Sequence, residues 1–126
     1  MLFWLFMLVY ILLVPLIMII FGWVFIKKAP KDINYIYGYR TPMSTSGKDA
    51  WEFAHRFIGK LWFILGFVIL IPSVIGMIAV IGLNKDTVGY MGTAITFAQL
   101  FFMMIPIIPT EIALRKNFDE NGNRKL

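Results

Sequence analysis

The chain has no cysteine and a single histidine, His55, in 126 residues. Without thiols it forms no disulfide and offers no thiolate to a metal. One imidazole cannot supply the several nitrogen ligands of a histidine-based zinc site, so no metal or other cofactor is expected. Charge is scarce as well: Asp, Glu, Lys and Arg make up 15% of the residues against 60% hydrophobic ones. That balance leaves too little polar surface to cover a water-soluble monomer. The scarcity is uneven, and residues 2–26, 61–83 and 88–110 contain no Asp, Glu, Lys, Arg or His. Ionisable groups inside a span are the usual mark of proton relays and ion-coupled transport, so their lack argues against a pump or an ion-coupled transporter.

The three uncharged runs are 25, 23 and 23 residues long. About 20 apolar residues in a helix cross a hydrocarbon core roughly 30 Å thick. Backbone amides in lipid must be satisfied within the spanning structure, and these continuous runs lack the alternation of barrel strands. The expected fold is an all-α integral membrane protein with transmembrane helices at 2–26, 61–83 and 88–110, joined by a loop at 27–47, a short amphipathic interfacial helix at 48–60 and a turn at 84–87, and followed by a tail at 111–126. The first run is read as a retained anchor, because no Lys or Arg precedes it and no small-x-small cleavage site follows it.

Basic residues set the expected orientation. Lys27, Lys28, Lys31, Arg40, Lys48, Arg56 and Lys60 lie between the first two runs, Arg115, Lys116, Arg124 and Lys125 in the tail, and Lys85 alone in the second connection. Short basic loops stay on the cytoplasmic side. The predicted arrangement is therefore N-terminus outside and C-terminus in the cytoplasm. The excess of basic residues is accounted for by topology and calls for no nucleic acid, since no soluble basic face carries interleaved aromatics. Membrane lipids are the expected surroundings and partners.

Pro30, Gly38, Pro42 and a Ser/Thr-rich stretch make 27–47 an irregular loop. Ser46-Gly47-Lys48-Asp49 fits a capping pattern, so a helix is expected to start there. Beyond it, Trp51, Ala54, Phe57, Ile58, Leu61 and Trp62 recur at helical spacing, while Lys48, Glu52, Arg56 and Lys60 occupy another face. Trp4, Trp23, Trp51 and Trp62 suit membrane interfaces. Gly66, Ser73 and Gly76 in the second run, and Gly92, Thr96 and Gln99 in the third, are candidates for close helix packing, with Gln99 expected to make an interhelical hydrogen bond. These small-residue faces also make a homodimer a reasonable expectation. Pro106 and Pro109 should disturb the end of the third helix, and the polar tail from Asn117 is expected to be mobile.

One constellation bears on catalysis. Glu52 and His55 are spaced to meet across a helical turn, with Arg40, Arg56 and loop hydroxyls near enough in sequence to handle a phosphate. The plainer account makes Glu52, Arg56 and Lys60 a solvated or headgroup-facing side of the helix, and Arg40 and His55 groups that hold the loop together or meet lipid. The plainer account is favoured, and a non-enzymatic protein is expected.

The string Gly38-Tyr39-Arg40-Thr41-Pro42, the hydroxyl run Ser44-Thr45-Ser46, then Trp51, Ala54-His55-Arg56 and Gly59 resembles the signature of the SdpI family of bacterial membrane proteins. The specific part of the likeness runs from Gly38 to Gly59, and the two spans that follow agree with it. The resemblance implies a role in immunity against a secreted, membrane-active peptide toxin and in signalling through a transcriptional repressor held at the membrane. The binding residues it points to are Gly38, Arg40, Thr41, Pro42, Ser46, Trp51, Glu52, His55, Arg56 and Gly59. The alternative is a lipid- or headgroup-binding protein, perhaps an enzyme acting on a phospholipid or isoprenoid phosphate.

Overall fold

The computed structural model describes residues 1–28, 38–119 and 121–124. Pro30, Lys31 and Lys125, used above for loop and orientation, lie outside the described residues. Four helices follow in order: α1 (Leu2–Lys27), α2 (Lys48–Ala79), α3 (Lys85–Met104) and α4 (Ile107–Asn117). Three helical stretches, Leu2–Lys27, Lys48–Ala79 and Lys85–Asn117, are long and apolar enough to cross a membrane. The third is α3 with α4, interrupted at Ile105 and Pro106, where proline removes one backbone donor and crowds the preceding turn. The disturbance expected from the prolines is thus a break at Pro106, while Pro109 sits in the first turn of α4.

α1 and α2 form the principal antiparallel pair. The buried stripe of α1 is Met7, Ile11, Pro15, Met18, Gly22 and Phe25, spaced by three and four residues, as a helix needs to keep one seam against a neighbour. The backbones nearly touch where that seam meets α2. A Cβ on Gly22 would lie 2.6 Å from the Phe63 amide nitrogen, and one on Gly59 would lie 2.9 Å from the Gly22 carbonyl oxygen. Gly66 meets the same seam further along, where a Cβ would sit 3.1 Å from the Pro15 carbonyl. α3 runs parallel to α1: Gly92 packs against Met7, and Gln99 reaches Ile11. Gly76 faces Ile95, 3.0 Å from where a Cβ would be, and the Thr96 hydroxyl donates to the Gly92 carbonyl of its own helix at 2.8 Å. The small residues are therefore occupied by packing within one chain.

At three junctions in this bundle a side chain from another helix donates to a backbone carbonyl, where lipid has no donor to offer. Pro15 has no N–H to give the Ile11 carbonyl, and Gln99 Nε2 donates to that oxygen at 2.8 Å. The last turn of α2 presents the Met77 carbonyl, which accepts from Trp4 Nε1 at 2.7 Å. Just before the break after α3, the Met103 carbonyl accepts from Trp62 Nε1 at 3.1 Å.

The segment 48–60 is the opening of α2 and runs without a break into the span. At roughly 1.5 Å per residue α2 is about 48 Å long, well beyond a hydrocarbon core of about 30 Å. Lys48, Asp49, Glu52, Arg56 and Lys60 mark these first three turns as the part outside the hydrocarbon, and Lys48, Glu52, Arg56 and Lys60 are exposed along one face. The tail also departs from expectation. Phe118 is fully buried against Phe53, ring centroids 5.5 Å apart, and pairs across a tight turn with Arg124, whose guanidinium lies 5.0 Å from the Phe118 ring centre. The Asp119 carboxylate accepts from the Asn121 and Asn123 amides, both at 2.9 Å, and Gly122 packs on Ser46 and Gly47. The polar turn was legible as polar; the apolar anchor beside it went unweighted.

Candidate functional site: the loop around His55

The loop is ordered by its own hydroxyls. Thr41 and Ser44 cap each other: the Ser44 amide donates to Thr41 Oγ1 at 3.2 Å, and the Thr41 amide donates to Ser44 Oγ at 2.7 Å. This is a reciprocal capping box, with Pro42 in the first helical position, where its missing N–H costs nothing. The Ser44 hydroxyl reaches the Tyr39 and Thr41 carbonyls, each at 3.0 Å, and Thr45 Oγ1 donates to Thr41 O at 2.9 Å. The capping pattern expected at Ser46 is thus realised five residues earlier. Ser46 instead donates to the Met43 carbonyl at 2.6 Å, and α2 starts from Gly47 with no side-chain cap. A helix beginning at Lys48 is correct; Ser46 as its cap is not.

His55 closes the loop onto α2. The Tyr39 amide donates to His55 Nε2 at 2.8 Å, and His55 Nδ1 lies 2.8 Å from the Trp51 carbonyl. Since Nε2 accepts, the proton sits on Nδ1 and is given to Trp51, which makes the ring a neutral imidazole with both nitrogens in use. It is fully buried. Phe25 of α1 meets it edge-on at 4.8 Å and Trp51 lies 4.3 Å away, centroid to centroid. Burial lowers its pKa, the hydrogen bond to the Trp51 carbonyl opposing the shift. Gly38 is fitted to this ring. Its φ is +110°, a conformation that side-chain-bearing residues rarely adopt, and a Cβ there would lie 2.6 Å from His55 Nε2 and 3.2 Å from Trp51 Cη2.

Tyr39 completes the cap. With Phe25, Ala50, Ala54, Ile58, Leu114 and Phe118 it forms one apolar cluster uniting α1, the loop, α2, α4 and the tail. Burial pushes its phenol above the usual range, and the nearby Glu111 carboxylate pushes it the same way. Neither the Tyr39 hydroxyl nor Glu111 Oε2 has a hydrogen-bond partner among the described residues.

Of the residues singled out in the sequence, Gly38, Thr41, Trp51 and His55 converge here, and Pro42 shapes the turn. Trp51 is fully buried within the cap. Arg40 is exposed. Glu52 and His55 do not meet: Glu52 pairs in the open with Arg56 at 3.1 Å, an exposed contact of little energetic weight, while the imidazole faces the opposite side. Gly59 belongs to the crossing with α1. Tyr39, Ser44 and Phe25, which do much of the holding, were not singled out. Tyr39 and Ser44 lie inside the signature string, and the spacing of three between Thr41 and Ser44, with Pro42 between them, was the available signal for the capping box. No group of three or more potential metal ligands occurs among the described residues.

These features define a multi-pass α-helical membrane protein with a folded loop-and-helix cap at one end. The model of the SdpI/YfhL protein family matches residues 31–110, which is more than half of the chain and takes in the loop around His55 and the two apolar runs after it, and the chain belongs to that family. No curated protein and no solved structure showed significant similarity to it.

Proposed function

We propose that this protein is a non-enzymatic immunity or signalling factor of the bacterial cytoplasmic membrane, with its cap on the cytoplasmic side recruiting a soluble partner and its spans meeting a membrane-active peptide. The observation that carries the proposal is the state of His55. Its two ring nitrogens are committed to the Tyr39 amide and the Trp51 carbonyl, so the chain's one imidazole serves as a strut and is poorly placed for general acid–base work. The uncharged spans give no support to ion coupling. A rigid, basic cap with Arg40, Pro42, Lys48 and Arg56 exposed fits a docking surface, and the seven-to-four-to-one distribution of basic residues supports placing it inside the cell. The family resemblance supplies the peptide and the repressor as partner classes.

Cells expressing the chain should survive a membrane-active peptide that kills otherwise identical cells. Arg40→Ala should release a co-purifying cytoplasmic partner while leaving the protein folded. Absence of protection together with turnover of a phospholipid or isoprenoid phosphate by the purified protein would establish the enzymatic alternative.

A further inference from the structure

The turn that ends the described chain folds largely on itself. The Asp119 amide donates to the Asn123 carbonyl at 2.9 Å and the Gly122 amide to the Asp119 carbonyl at 3.0 Å, while the Asp119 carboxylate takes the Asn121 and Asn123 amides. Among the described residues, three features join this turn to the body. The Phe118 ring fills a slot beside Phe53, in the apolar cluster that holds Ala50, Ala54 and Leu114. Gly122 lies against Ser46 and Gly47, where the loop enters α2, and a Cβ on Gly47 would be 3.1 Å from the Gly122 carbonyl oxygen. Arg124, laid over the Phe118 ring, lines a surface cleft of about 260 Å³ together with Asp49, Glu52, Phe53 and Arg56.

These contacts amount to the recognition of a short segment at three positions. The slot takes an aromatic ring. Four residues on, the backbone approach to Ser46 and Gly47 leaves no room for a side chain, and the φ of +80° at Gly122 also calls for glycine. Six residues on, a guanidinium sits in a cleft that holds the carboxylates of Asp49 and Glu52. The receiving surface adjoins the exposed Pro42 and Lys48 of the cap. Because its hydrogen bonds are internal, the turn can leave as a unit, swinging where the extended Phe118 follows the last residue of α4. A tethered segment acts at an effective concentration of about 1 mM, so an outside segment of the same pattern displaces it only by binding well below that concentration.

We infer that the slot beside Phe53 is the docking site for a segment of a soluble partner bearing an aromatic residue, a glycine four residues on and an arginine six residues on, and that the chain's own tail fills the site until the partner displaces it. This deepens the docking reading of the cap and rests on it for the existence of a partner; the experiment addresses the slot alone, so its failure leaves recruitment through Arg40 standing. The probe is a fluorescein-labelled peptide with the sequence of residues 117–126, titrated by fluorescence polarisation against the full-length protein in detergent micelles. The parent chain, with its slot filled, should bind the peptide about tenfold more weakly than Phe118→Ala, which empties the slot, or Gly122→Val, which drives a side chain against the Ser46 carbonyl and pries the turn away. Helix content is checked for both, and if Phe118→Ala has lost it the comparison is read from Gly122→Val. Within the peptide, alanine in place of the aromatic residue should cost about tenfold in affinity, and glutamate in place of the arginine about threefold. Equal affinity for the parent and the variants, or affinity indifferent to the peptide's aromatic residue, overturns the inference.

Discussion

Removing the imidazole at position 55 tests the reading of the cap most directly. In His55→Leu the Tyr39 amide loses its acceptor and the Trp51 carbonyl loses its donor, both in a buried setting. Leaving a buried amide unpaired costs about 1–3 kcal/mol, which at 1.36 kcal/mol per factor of ten is roughly a 5- to 150-fold rise in the frequency of local opening. The chain's lack of cysteine provides the assay. Ala50 is fully buried in the cap cluster, so the labelling rate of Ala50→Cys, divided by that of a cysteine at exposed Asn121, reports opening of the cap. His55→Gln, whose amide oxygen can stand near the position of Nε2, should recover part of the protection, and His55→Asn less of it.

The same assay has a pH arm. The folded pKa of His55 is depressed by burial, so the unfolded cap binds more protons than the folded one as pH falls. The contribution of His55 is fully present above the unfolded value near ~6.5 and is lost as pH drops below it toward the folded pKa. Normalised labelling of Ala50→Cys should therefore rise between pH 7.5 and pH 5.5 in the parent chain and change much less in the His55→Gln background. Labelling of the His55→Leu protein within about threefold of the parent, or a parent chain indifferent to acid, would refute the assignment of His55 as the strut of the cap.

Other consequences follow from the packing. Gly59→Val places a branched side chain against the Gly22 carbonyl and should weaken the α1–α2 pair by about 1–3 kcal/mol, seen as loss of a disulfide between cysteines introduced along that seam; an unchanged crosslink counts against the close crossing. Pro15→Ala returns an N–H to the Ile11 carbonyl, so Gln99→Leu should cost less in that background, with a coupling of about 0.5–1 kcal/mol in a double-mutant cycle; strict additivity would mean that Gln99 is not compensating for the proline. Phe118→Ala empties a buried site and should expose Ser46→Cys to labelling by loosening the tail, whereas an unaltered rate would show the turn to be held by Asp119 alone. Cysteines at Thr45 and Asn121 should react from one side of the membrane and a cysteine at Lys85 from the other, and reaction of all three from one side rules out the proposed threading.

The spans were legible because spanning a bilayer is close to a one-dimensional requirement: length and lack of charge decide it, and both are countable along the chain. The start of α2 was legible for a similar reason, yet its cap was misplaced, since Thr41–Ser44 and Ser46–Asp49 both satisfy the local pattern and only the fold chooses between them. Trp51 and His55, four residues apart, stand together on the buried side of α2. Their burial was not readable, because it depends on Phe25 arriving from α1 and on Gly38 folding back over both rings. The Glu52–His55 pairing was suggested by a spacing of three, but such spacing sets reach and not direction, and the imidazole turned toward the loop.

Gln99 shows why a polar residue in a span need not mean transport. Pro15 in α1 and the break at Pro106 each leave a carbonyl without its helical donor, and at the end of α2 the Met77 carbonyl keeps only a long bond from the Val80 amide at 3.2 Å, in a medium with nothing further to offer. Gln99, Trp4 and Trp62 each answer one such carbonyl on a different helix, and each bond also fixes the register between two helices, because it forms only when a particular residue is level with a particular break. In water these bonds would compete with solvent and count for little. In hydrocarbon, sliding any one helix by a turn forfeits two of the three, which gives a bundle of three nearly featureless apolar helices a single preferred alignment.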